Sequence, residues 1–138
     1  MRLLVLYPYI PFPVDRGTFQ RSFHLLRALA REHEIDLLAL TEKGERCEQK
    51  PVFAQFCRRV EFVPFEHPTW PRLFPDRLLN PLPTTVRHWQ SLPVAEAIHR
   101  FAAGHSYDLV HVCDIVMAQY CFAGLRHLPL AVDRSRVD

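Results

Sequence analysis

Residues 3–7, Leu-Leu-Val-Leu-Tyr, form an unbroken apolar run that stops at Pro8, and this run limits the fold more than any other feature. It has the length of a strand, and its lack of alternation means that both faces are buried, as in a parallel sheet covered by helices. Pro8, Pro11 and Pro13 then lead through Asp15 and Arg16 to Gly17, a stiff loop that cannot be helical. Beyond it the period changes. Phe19, Phe23, Leu26 and Ala30 recur at helical spacing with Leu25 and Leu29 beside them, while Gln20, Arg27 and Arg31 take the other side, which predicts an amphipathic helix from Thr18 to His33. Ile35 to Leu40 is a second apolar strand, reached by a connection so short that the helix folds straight back onto the sheet as a right-handed βαβ unit.

The same alternation continues. Pro51 opens a short helix through Val52, Phe53, Phe56 and Cys57, and Val60 to Val63 reads as a third strand. Pro64 to Pro93 holds seven of the twelve prolines, with Trp70, Phe74 and Trp89 among them, and predicts loops and short helical pieces. A better helix runs from Pro93 through Val94, Ala97, Ile98, Phe101 and Ala102 to Gly104. Leu109 to Val112 is a fourth strand, Ile115 to Leu125 a helix and Leu130 to Val132 a fifth strand. The prediction is one α/β domain over residues 1–138, with a Rossmann-like, doubly wound parallel sheet, because 138 residues bury about one core. No helix follows the fifth strand, so an uncovered sheet edge that favours self-association is a further expectation.

Composition removes several functions. Seventeen Lys and Arg against fifteen Asp and Glu leave a net charge of +2, and the basic residues are scattered, so no nucleic-acid partner is expected. Cys47, Cys57, Cys113 and Cys121 include no Cys-x-x-Cys pair, which argues against a zinc ribbon or redox dithiol and for a reducing, cytoplasmic setting. The first apolar run is too short for a signal-peptide core or a membrane span. The four glycines are too far apart for a dinucleotide fingerprint or a Walker loop, and neither Gly-x-Ser-x-Gly nor His-Glu-x-x-His occurs. Glu32, His33 and Glu34 diverge around a helix end and make no metal site. No metal and no cofactor is expected. Trp70, Leu73, Phe74, Leu78 and Leu79 beside Arg72 and Arg77 suggest an acceptor-facing surface, or one peripheral to the inner face of a membrane, with packing on the domain's own core as the alternative.

Two segments carry candidate chemistry. The loop to Gly17 leaves the carboxyl end of a central strand, where doubly wound folds bind ligands, and enters a helix whose free N–H groups suit an anion. Gly17 lets backbone approach a ligand, and Arg21 lies one turn on, within reach of a phosphate or carboxylate. In Ser106 to Asp114, Val110 and Val112 take one strand face and Leu109 and His111 the other, so His111 is buried. If the first and fourth strands are neighbours, Cys113 and Asp114 face the same crevice as Gly17.

Pro-Phe-Pro-x-Asp-Arg-Gly-x-x-x-Arg-x-x-x-Leu-Leu-Arg-Ala-Leu (11–29), then Glu34 to Leu40, then Tyr-Asp-Leu-Val-His-Val (107–112), resembles the N-terminal domain of retaining family-four glycosyltransferases with the GT-B fold. The likeness runs over nearly all of the chain and is specific at its two ends. It implies the acceptor-side half of an enzyme that moves a sugar from a nucleotide-sugar donor, with retention, onto a glycan or lipid-linked acceptor. The donor would sit mainly on a C-terminal domain outside these residues, so this chain alone is expected to be inactive. By position, the resemblance makes Arg16, Gly17 and Arg21 the donor-phosphate loop and places His111, Cys113 and Asp114 in the catalytic segment. Arg16-Gly17 stands where many relatives have paired glycines, and Cys113 where many have His. The absence of Asp-x-Asp agrees with a metal-independent mechanism. The alternative is a Rossmann-like binding or interaction module without catalysis.

Overall fold

The computed structural model describes residues 1–42, 48–67 and 83–134. Cys47, Gly44 and the cluster Trp70, Arg72, Leu73, Phe74, Arg77, Leu78 and Leu79 lie outside the described residues. In chain order the elements are β1 (Arg2–Tyr7), α1 (Gly17–Leu29), β2 (Glu34–Glu42), α2 (Lys50–Ala54), β3 (Arg59–Phe65), α3 (Thr84–His88), α4 (Leu92–Ala102), β4 (Leu109–Cys113), α5 (Ile115–Ala118), α6 (Cys121–Gly124) and β5 (Leu130–Asp133). The strands form one sheet in the order β3-β2-β1-β4-β5 with every pairing parallel.

β1 stands at the centre because both of its faces are apolar. Leu3, Val5 and Tyr7 join Ile35, Leu37 and Ala39 under Leu26 of α1 and Phe53 of α2. Leu4 and Leu6 join Leu38, Leu40, Val110 and Val112 under Val94, Ile98 and Phe101 of α4 and Met117 of α5. Helices therefore cover both faces, and the fold is the Rossmann-like, doubly wound α/β arrangement expected from the apolar runs. At the amino end of the strands, buried Asp36 accepts hydrogen bonds from Tyr107 (2.7 Å), Arg58 (2.9 and 3.0 Å) and Arg59 (3.4 Å), tying β2, β3 and the approach to β4 together.

Two helices differ from expectation. α1 stops at Leu29 rather than His33, since Glu34 N already donates to Met1 O (2.9 Å) and the chain needs residues 30–33 to turn into the sheet. The helix expected over Ile115 to Leu125 is two pieces. Gln119 Nε2 donates to the Val116 carbonyl (2.7 Å), to which Tyr120 N–H would donate in a continuous helix, and Tyr120 N instead donates to Met117 O. No described helix is long and apolar enough to cross a membrane.

Candidate functional site

The strand order reverses between β1 and β4: the chain leaves β1 for α1 on one face of the sheet and leaves β4 for α5 on the other. The carboxyl ends of these two strands therefore open a crevice, the usual ligand position of such sheets. A shallow depression of about 590 Å³ lined by Arg2, Glu32, His33, Glu34 and Asp108 lies at the opposite, amino end of the strands. Geometry of the fold favours the carboxyl end.

Gly17 starts α1, with Arg16 extended before it and no side chain capping the first N–H groups. Only the carbonyl of Arg16 is engaged, by Gln20 N at 2.8 Å. Gly17 is not in the left-handed region, and a Cβ there would meet nothing within 4 Å. The chain's own packing thus gives no reason for a glycine. Arg16 is exposed, its guanidinium 5.4 Å from the centre of the Phe19 ring, and Phe19 stacks on Tyr9 at 4.9 Å.

Tyr9 closes the crevice floor. Its hydroxyl lies 2.9 Å from Ser22 Oγ and 3.3 Å from Cys113 Sγ, while Tyr7 OH donates to Ser22 O at 3.2 Å. Burial pushes the Tyr7 pKa well above the usual phenol value, with the neighbouring Cys113 adding to it, so Tyr7 is a fixed neutral donor. Cys113 is fully buried under this roof, which corrects the expectation that it faces the open crevice beside Asp114. Asp114 itself is half-buried at the rim with φ 80°, held by donation of its N–H to Asp133 O (2.7 Å).

Arg21 also differs from expectation. Its Nη2 pairs with Asp133 Oδ1 at 2.7 Å, so in this arrangement it bridges α1 to the end of β5 rather than standing free for a phosphate. His111 is 8% exposed and meets Tyr7 edge-on at 6.3 Å, as the alternation in β4 predicts. Its Nδ1 has no hydrogen-bond partner. Burial lowers its pKa and the charge of Asp133 partly opposes this, which keeps the ring neutral near pH 7. Arg16, Gly17 and Asp114 thus outline the rim, and His111 and Cys113 lie beneath it.

Tyr9, Ser22 and Asp133 were not singled out by the sequence. Ser22 is a buried polar residue on the α1 face that packs inward, a signal that helical spacing alone contains. No group of three or more His, Cys, Asp or Glu that could hold a metal occurs among the described residues.

No protein-family model matches the chain, and no curated protein matches it. Among solved structures it is similar to the crystal structure of the C-terminal domain of a hydrogenase from Pyrococcus furiosus, at 12% identity and a TM-score of 0.60, over 96% of this chain and 90% of that one. At such identity the likeness shows the fold alone, a Rossmann-like α/β domain.

Proposed function

We propose that the chain is the acceptor-side domain of a retaining glycosyltransferase that takes a nucleotide-sugar donor and a glycan or lipid-linked acceptor. The observation that carries this reading is the uncapped start of α1 at Gly17, open to the crevice between β1 and β4 and lined on one side by Arg16. Sugar transfer needs the leaving diphosphate stabilised as negative charge develops on it, and the acceptor hydroxyl held against the anomeric carbon. Backbone N–H groups at the start of α1 suit the first task, with Arg16 as a nearby cation. The Asp114 carboxylate at the opposite rim suits the second, by accepting a hydrogen bond from the acceptor hydroxyl. Cys113, against the Tyr9 hydroxyl, and His111, against Tyr7, support the crevice floor from below. A cytoplasmic setting is part of this reading, supported by the lack of a paired-cysteine pattern in the sequence.

A second reading, a binding module without catalysis, is favoured by the commitment of Arg21 to Asp133 and by the burial of Cys113. The deciding experiment measures release of nucleoside diphosphate by the full-length protein with UDP- and GDP-sugars, with and without acceptor, and the anomeric configuration of the product. Acceptor-dependent release with retention is expected, together with weak donor binding by residues 1–138 alone. Low-micromolar donor binding by residues 1–138, about −8 kcal/mol, would overturn the two-domain reading.

A further inference from the structure

α3 turns one buried side chain into the protein, and that side chain is Arg87, only 4% exposed. Neither its Nε nor its Nη1 has a hydrogen-bond partner among the described residues. A guanidinium, unlike an ammonium, does not relieve burial by losing its proton, so an enclosed and unmatched one is strongly unfavourable until an anion meets it.

At one end of α3 Phe65, which closes β3, stacks on Trp89 (5.1 Å, 6° between planes), and His67 stacks on His88 at 4.5 Å. At the same C-terminal end Gln119 Nε2 donates to Val86 O (3.1 Å) and Tyr120 OH donates to Trp89 O, fixing α3 to the segment that follows β4. Trp89 therefore joins the end of β3 to the segment after β4, on the face opposite α1. Trp89 packs against the apolar cluster of that face. Arg87 is the one buried residue of this helix.

We propose that Arg87 is an oxyanion receptor, a site for the phosphate or carboxylate group of a ligand held at α3. Nε and Nη1 belong to the two edges of the guanidinium, each shared with Nη2, so an oxyanion can be held bidentately at either edge. His88, on the same short helix, stacks on His67, which follows β3. This site stands whether or not the chain transfers sugars, and within the glycosyltransferase reading it selects acidic acceptors.

The test is thermal unfolding of the protein titrated with inorganic phosphate at constant ionic strength, in the wild type, Arg87→Met and Arg87→Lys. Wild-type Tm is expected to rise with millimolar phosphate, because a ligand bound only by the folded state stabilises it. Arg87→Met is expected to lose that response while its own Tm without phosphate stays level or rises, since an unmatched buried charge has been replaced by an apolar chain. Arg87→Lys keeps the charge but loses the fork, and is expected to weaken the response about tenfold or more. A fall in Tm of Arg87→Met with no phosphate response in the wild type would overturn the proposal, since a carboxylate of the chain itself would then be the partner. Equal responses in all three proteins would also overturn it. Glycerol phosphate against inorganic phosphate separates the sources: the stronger response identifies a larger phosphorylated ligand or the free ion.

Discussion

A buried imidazole with an unpartnered nitrogen makes stability depend on pH in a definite direction. The His111 pKa lies below its ordinary value because burial disfavours the imidazolium, with Asp133 offsetting part of the effect. A group of this kind binds fewer protons folded than unfolded, so its contribution is complete above the unfolded value of about 6.5 and declines as pH falls from there toward the folded value. Wild-type Tm is expected to drop more steeply than that of His111→Gln between about pH 6.5 and 5; parallel curves would show that His111 is not protonated on unfolding. Gly17 gives a second expectation at this scale. Since a side chain there meets nothing in the chain, Gly17→Val should leave Tm nearly unchanged, while under the proposed glycosyltransferase reading sugar transfer falls strongly. Wild-type turnover in Gly17→Val would remove the start of α1 from the site. His111 was legible because period-two alternation puts it opposite Val110 and Val112. Ser22 was legible too, since helical spacing puts it between Phe19 and Leu26 on the inward face, but Arg87 was not, since an arginine in a proline-rich stretch reads as loop and only tertiary placement turns it inward.

Elements obey the same division between local pattern and tertiary contact. Every strand was readable, because each is a short apolar run bounded by turn residues, but strand ends moved outward by one to two residues, to Phe65 in β3 and Asp133 in β5, where ladder pairing extends past the apolar run. The break between α5 and α6 was not readable, because it is caused by the Gln119 side chain taking the Val116 carbonyl while reaching Val86 from another element. β5 is the element with most consequence outside the domain. Among the described residues it pairs only with β4, and Leu130 and Val132 on it are 36% and 48% exposed, with Phe122 and Ile115 exposed on the short helices after β4. An apolar edge strand of this kind favours pairing with another chain. Sedimentation is expected to show concentration-dependent self-association, weakened by Val132→Lys, since a charge on an edge strand opposes edge-to-edge pairing. A monomer at high concentration in the wild type would count against it.

Across the whole molecule, the candidate crevice lies at the carboxyl end of the sheet and a buried polar network ties the amino end together. The crevice needs β1 and β4 fixed side by side, and the sequence showed only that each is buried; their adjacency comes from the order β3-β2-β1-β4-β5, which no single segment encodes. The other end is held by Asp36, a lone acid inside the apolar strand β2, whose burial in the sheet was the unread signal of a partner network. Burial acts to raise the Asp36 pKa, but hydrogen bonds from Arg58 and Tyr107 and the charges of Arg58 and Arg59 outweigh it and hold the carboxyl below its ordinary value. Arg59 is fixed in turn by donating to Phe101 O (3.0 Å) and by lying 4.1 Å over the Phe101 ring of α4, so the network joins the sheet to a covering helix. A carboxyl with a depressed folded pKa contributes stability above its unfolded value of about 3.9 and loses it as pH falls through the folded value. Asp36→Asn is expected to cost roughly 2 kcal/mol near pH 7, less than a fully enclosed ion pair because both arginines are about one-third exposed. Denaturant unfolding checks this: the gap between wild type and Asp36→Asn should narrow as pH falls below about 4, and a gap that stays constant to pH 2 would show that shape rather than charge makes Asp36 necessary.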